Sequence, residues 1–132
     1  DLDLAYERDS IAWCGLFAAH CVAVSLPEEP LPNNPLGARN WLNFGRPCEP
    51  TPGAVLVFWR GRKSGWQGHL GFYAGEDAAA FHVLGGNQSD SVSVARVARS
   101  RLLGARWPKS VPMAAKVKLS GDAGEPLSIN EA

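Results

Sequence analysis

Three residues have the types and surroundings that acyl-transfer chemistry needs: Cys14, His69 and Asn87. Cys14 lies near the start of an Ala-rich apolar run, Ser10 to Val24, that Asp9 or Ser10 can cap. The run predicts a helix, and unpaired amides and the helix dipole in its first turns favour a thiolate. His69 opens an apolar segment just after the glycine-rich turn Gly61 to Gly68, where a cleft is expected. Asn87 follows Gly85-Gly86 at the exit of the next segment and could face the same rim. An imidazole can take a thiol proton and later protonate a leaving amine, and an amide oxygen on its far nitrogen would fix the tautomer. Each residue also has a plainer reading. Cys14 could be a buried helix cysteine, His69 a hydrogen-bonded strand residue, and Asn87 a left-handed turn residue. His20 and His82 are rival bases. His20 shares the apolar helix, where a satisfied core histidine is expected, and His82 is either a surface residue or a group that orients His69 across a sheet.

The elements that must position these groups follow from periodicity. After the helix, Pro27 to Pro35 carries four prolines and reads as an extended loop. Residues 38–44 predict a short helix ending at Gly45. Residues 54–59, 69–74, 80–84, 91–97 and 102–107 predict five strands, the first apolar enough to be covered on both faces. Turn-length connections favour antiparallel pairing, so a helix followed by strands gives an α+β fold. Residues 109–132 lose this periodicity and contain no aromatic residue. They predict an edge strand through Val111, Val117 and Leu119, or a linker tail.

Composition bounds the answer further. A chain of 132 residues is long enough for one domain. Twelve aromatic residues (five Trp, five Phe, two Tyr) argue against wholesale disorder. No apolar run reaches the ~18 residues of a membrane span. The acidic start, Asp1-Leu2-Asp3-Leu4, does not read as a signal peptide, and a chain without an initiator Met is expected to be a fragment or a processed form. Net charge is zero, yet residues 39–118 hold twelve basic and four acidic residues, a local excess of +8. That segment could attract an anionic polymer or could simply be a solvated face. No nucleic-acid motif accompanies it. Three cysteines, Cys14, Cys21 and Cys48, are not a disulfide framework, and the Cys and His spacings fit no zinc site. We expect neither metal nor other cofactor.

The ordered motifs Ala12-Trp13-Cys14-Gly15-Leu16-Phe17, Gly68-His69-Leu70-Gly71-Phe72-Tyr73 and Leu84-Gly85-Gly86-Asn87-Gln88-Ser89 resemble the papain-like NlpC/P60 and CHAP cysteine peptidases and amidases. The likeness is to a subgroup found in phage lysins and bacterial cell-wall hydrolases, and spans roughly residues 10–108. It implies a papain-like α+β fold, with the nucleophile helix packed on an antiparallel sheet of about five strands. It places the catalytic domain in residues 1–108 and an edge strand or linker in 109–132. By the same resemblance Cys14 is the nucleophile, His69 the base and Asn87 the orienting group. The Cys14 amide and Tyr6 would form the oxyanion hole. Trp13, Trp41, Arg60, Arg62, Lys63, Trp66 and Gln67 would line the substrate groove. The implied partner is peptidoglycan, met in the cell wall or periplasm by a monomer, in a longer product joined to a targeting module. The implied reaction is cleavage of a peptidoglycan amide through a thioester, and Arg60, Arg62 and Lys63, suited to stem carboxylates, tip the choice to a bond within the stem peptide. Two alternatives stand beside it: an N-acetylmuramoyl-L-alanine amidase of the same fold, and an inactive wall-binding or assembly domain.

Overall fold

The computed structural model describes residues 10–87 and 91–113. Helix α1 covers Ser10–Ser25, and a 3-10 helix covers Ala38–Asn43. The strands are β1 (Arg46–Pro47), β2 (Val55–Trp59), β3 (Gly68–Glu76), β4 (Ala80–Asn87), β5 (Ser91–Ala98) and β6 (Leu102–Trp107). They form one antiparallel sheet in the order β1-β6-β2-β3-β4-β5. The α+β class predicted from the sequence is therefore present. The sheet has six strands rather than about five. The additional strand, β1, is two residues long and pairs only with β6; so short a segment carries no readable alternation. The short helix is 3-10.

The chain runs as a meander from β2 to β5. It then crosses through a second 3-10 turn, Arg99–Arg101, to lay β6 against β2. That crossover makes β2 a central strand, buried from Val55 to Phe58, as its unbroken apolar sequence requires. One core, including Cys14, Ala18, Val22, Trp41, Phe44, Val57 and Leu70, lies under α1 and the first 3-10 helix. The other, including Leu56, Phe58, Tyr73, Phe81, Val83 and Trp107, lies across the sheet.

Two glycines let α1 seat closely. A Cβ on Gly86 of β4 would stand 2.9 Å from the Phe17 Cβ and 3.2 Å from the Trp13 carbonyl oxygen. A Cβ on Gly15 would stand 2.3 Å from the Pro35 carbonyl oxygen, in the proline-rich loop. The helix still leaves Leu16, His20, Ala23 and Val24 exposed among the described residues, so it is less enclosed than its apolar sequence predicts.

Beyond β6 the chain folds back. The Glu29 carboxylate accepts the Lys109 and Ser110 amides at 2.7 and 2.9 Å and the Ser110 hydroxyl, and the Trp107 indole donates to the Val111 carbonyl at 3.0 Å. Burial pushes the Glu29 carboxyl up, but these donors and the Lys109 charge outweigh it and hold it below its ordinary value. Packing therefore continues to Val111. The edge strand or linker expected farther on falls in residues 114–132, outside the described residues. The three cysteines are free thiols.

Candidate functional site

Cys14 sits on the face of α1 that meets the sheet, in a stripe with Ala18 and Val22 at four-residue spacing. It is fully buried. Its sulfur lies against the amide of Leu70, which belongs to the peptide unit joining His69 to Leu70. Burial pushes the thiol up to about 11, against the opposing pull of the Leu70 amide, the Arg60 charge and the amides of Gly15 and Cys14. The helix start thus supplies stabilising dipoles, as the sequence predicts, but burial outweighs them and the resting group is a thiol.

His69 is opposite Phe58 across the β2–β3 ladder, with ring centroids 6.4 Å apart. It is 5% exposed, and its Nδ1 has no hydrogen-bond partner among the described residues. Burial, then the charges of Arg60 and Arg101, lowers its pKa to about 4. The imidazole is therefore neutral at pH 7. The His69 ring leans toward the Phe58 core, while the Cys14 sulfur lies in the Leu70 core. Successive side chains of a strand alternate faces, so His69 and the Leu70–Cys14 contact lie on opposite faces of the sheet, and the structure does not bring the thiol and the imidazole together.

Asn87 is the last residue of β4 and pairs with Ser91. It is still in the strand, not in a turn after it. The β3–β4 register sets Phe72 opposite Leu84; carried three residues on, it puts Asn87 beside His69. Phe58 also pairs with Leu102 of β6. The backbone thus aligns Leu102, Phe58, His69 and Asn87 in one row across four strands. Tyr6 lies outside the described residues.

The expected groove residues divide. Trp66 is 68% exposed, and Arg62 and Lys63 are exposed beside it. Arg60, Gln67 and Trp13 are half-buried. Trp41 is corrected: it is fully buried, stacks on Phe44 at 5.0 Å and donates its indole N–H to the Pro35 carbonyl at 2.8 Å. It is a core residue, with no surface left to form a groove wall. Its 3-10 helix turns it inward under the proline-rich loop.

The rival histidines are elsewhere. His20 is exposed on α1. His82 is buried at the opposite end of the β3–β4 hairpin, 2.6 Å from Asp77. Sequence reading missed Arg39, Asp77 and Arg101. Arg39 reaches the loop before β3, and Arg101 donates to the Trp59 carbonyl at 3.0 Å. A basic residue two places before a tryptophan, or one just ahead of a strand, carries no recognisable spacing signal. Asp77 could have been flagged as a turn residue, since its carboxylate accepts the Ala79 and Ala80 amides at 2.8 and 3.0 Å.

Comparisons with protein-family models, with curated proteins and with solved structures return no match. Among the described residues, no helix is long and apolar enough to cross a membrane, and no cluster of three His, Cys, Asp or Glu side chains could hold a metal ion.

Proposed function

We propose that the protein is a cysteine hydrolase of peptidoglycan amide bonds, with a papain-like arrangement of helix and sheet, cutting within the stem peptide. The observation that carries this reading is that the helix bearing Cys14 packs on β3, with the sulfur against the Leu70 amide, one residue after a buried, neutral His69. Catalysis by this pair requires the start of β3 to turn the imidazole to the Cys14 face when substrate binds, after which the proton moves only as the new bond forms. The Cys14 sulfur attacks the amide carbonyl and its proton passes to His69. The carbonyl oxygen becomes an oxyanion, whose donor in this reading is the Cys14 amide. Collapse breaks the C–N bond, the imidazolium protonates the departing amine, and a thioester remains. Water, deprotonated by His69, hydrolyses that thioester and restores the thiol. Asn87, next to His69 in the strand row, is the residue to fix the ring. The exposed Arg62 and Lys63, on the loop that leads into β3, suit a stem carboxylate and favour an endopeptidase over an amidase.

Purified disaccharide-peptide digests test the choice. An endopeptidase releases a shortened peptide and leaves at least one stem residue on muramic acid. Release of the intact stem with a free L-alanine amine would overturn the endopeptidase reading in favour of the amidase. The complete burial of Cys14 favours a second reading, a wall-binding domain without turnover. Under that reading the chain is retained on wall material and releases no fragment.

A further inference from the structure

The segment from Arg60 to Gln67 looks from sequence like a flexible glycine-rich turn, but its backbone is fastened from outside. The Arg39 guanidinium donates to three carbonyls of this one loop: Nε to Gln67 at 2.8 Å, and its two terminal nitrogens to Lys63 at 2.8 Å and Arg62 at 2.7 Å. The Arg60 amide also donates to Gln67, at 3.1 Å, and the Gly65 amide to Arg62, at 3.0 Å. The Arg39 stem reaches the loop by passing over Gly68: a Cβ there would stand 3.1 Å from the Arg39 Cγ and 2.7 Å from the Phe58 carbonyl oxygen. Gly68 directly precedes His69, so one arginine ties the loop to the strand start that carries the imidazole.

The loop presents Trp66 to solvent at 68% exposure, far more than any other described tryptophan. Exposing an indole on a mobile loop would cost ordering entropy each time a ligand bound; a fixed backbone removes part of that cost. Arg62 and Lys63 precede it on the same loop, and residues 60–68 contain no acidic residue. A rigid aromatic face with cations beside it is complementary to a saccharide ring bearing acidic substituents.

We propose that Arg39 is a positioning residue that holds Trp66 as a fixed platform for the sugar face of an anionic glycan–peptide at the loop that enters β3. This deepens the hydrolase reading and rests on it for the substrate class. Lysine cannot replace Arg39, because one ammonium does not reproduce a planar fork across three carbonyls.

The test uses the full chain and a soluble disaccharide-peptide from purified peptidoglycan, with the sugar-free stem peptide as control. In a Cys14→Ala background, Trp66→Ala should weaken disaccharide-peptide binding about tenfold and leave stem-peptide binding unchanged. Arg39→Met and Arg39→Lys should both weaken it about fivefold and raise amide exchange at residues 62–67, with α1 and β2 to β4 unaffected. In the active chain the same changes should raise KM with little change in kcat. Undiminished binding by Trp66→Ala, equal loss toward the sugar-free stem, or faster loop exchange with unchanged affinity would each overturn the platform. Absence of all binding by the Cys14→Ala chain would overturn it too. Binding with this pattern, but no cleavage by the active chain, would retain the platform and reject the hydrolase reading instead.

Discussion

The two ends of the β3–β4 hairpin each bury a histidine, and the surroundings are opposite. His82 is 3% exposed and its Nε2 is 2.6 Å from the Asp77 carboxylate. That carboxylate also accepts from Arg96, at 2.9 to 3.1 Å, and from two turn amides. The Arg96 and His82 bonds and the turn amides hold Asp77 well below the usual carboxylate range. Beside it, Glu76 accepts from the Tyr73 hydroxyl at 2.8 Å and from Arg99 at 3.0 Å. This end is a saturated polar network that fixes a turn. His69, at the other end, has an unpartnered Nδ1 among the described residues, no carboxylate acting on it, and two arginine charges disfavouring its protonation. A structural histidine is satisfied by its neighbours. One kept dry, neutral and short of partners is costly to the fold, and such costs collect at functional sites.

Substitution should separate the two ends. His69→Ala should reduce wall digestion by about a thousandfold, the usual scale for a lost general base, in a steady-state assay on soluble wall fragments. His82→Ala should leave the rate constant per folded molecule within a few-fold. It should lower unfolding free energy by roughly 2–4 kcal/mol in urea, through the emptied core position and the lost charge-assisted bond. The reverse pattern would exchange the roles of the two ends.

Acid should act through His69. Its folded pKa, about 4, lies below the ordinary 6.5. Between these values the unfolded chain binds the extra proton, so this group's contribution is complete above pH 6.5 and is lost as pH falls toward 4. The loss is roughly 3 kcal/mol at most. His69→Gln should remove that part of the acid sensitivity in urea melts at stepped pH, and an unchanged pH slope would count against the buried neutral imidazole. The smallest effect belongs to His20, exposed on α1: His20→Ala should shift stability by no more than about 0.5 kcal/mol and leave digestion unchanged.

The same contrast explains what the sequence could disclose. Apolar runs and turn residues located α1 and five strands to within a few residues, because hydrophobic period and Gly/Pro punctuation are local properties. The position of β6 between β1 and β2 was not legible, since it depends on a crossover between strands far apart in the chain. Cys14, His69 and Asn87 stood out by residue type and by the motifs around them. The thiol's burial was the plainer reading that its apolar run already offered; what was not legible is the surface that buries it, α1 packing on β3 and β4. Gly86 illustrates the gap: it reads as part of a turn, and its structural use is to admit α1. Trp41 shows the opposite error, an aromatic assigned to a groove that the 3-10 helix turns into the core. Asp77 and Arg39 act across 19 to 28 residues of sequence, at separations that no local pattern encodes.

The account depends most on Cys14 and His69 acting as one unit, and mass spectrometry of digested peptidoglycan measures that directly. The unaltered chain, Cys14→Ala and His69→Ala are incubated with the same purified wall material, and both soluble products and wall-bound protein are quantified. The predicted result is a defined set of amide-cleavage fragments from the unaltered chain alone, with all three proteins retained equally on the wall. Fragments from Cys14→Ala at the unaltered rate, or none from the unaltered chain, would contradict it.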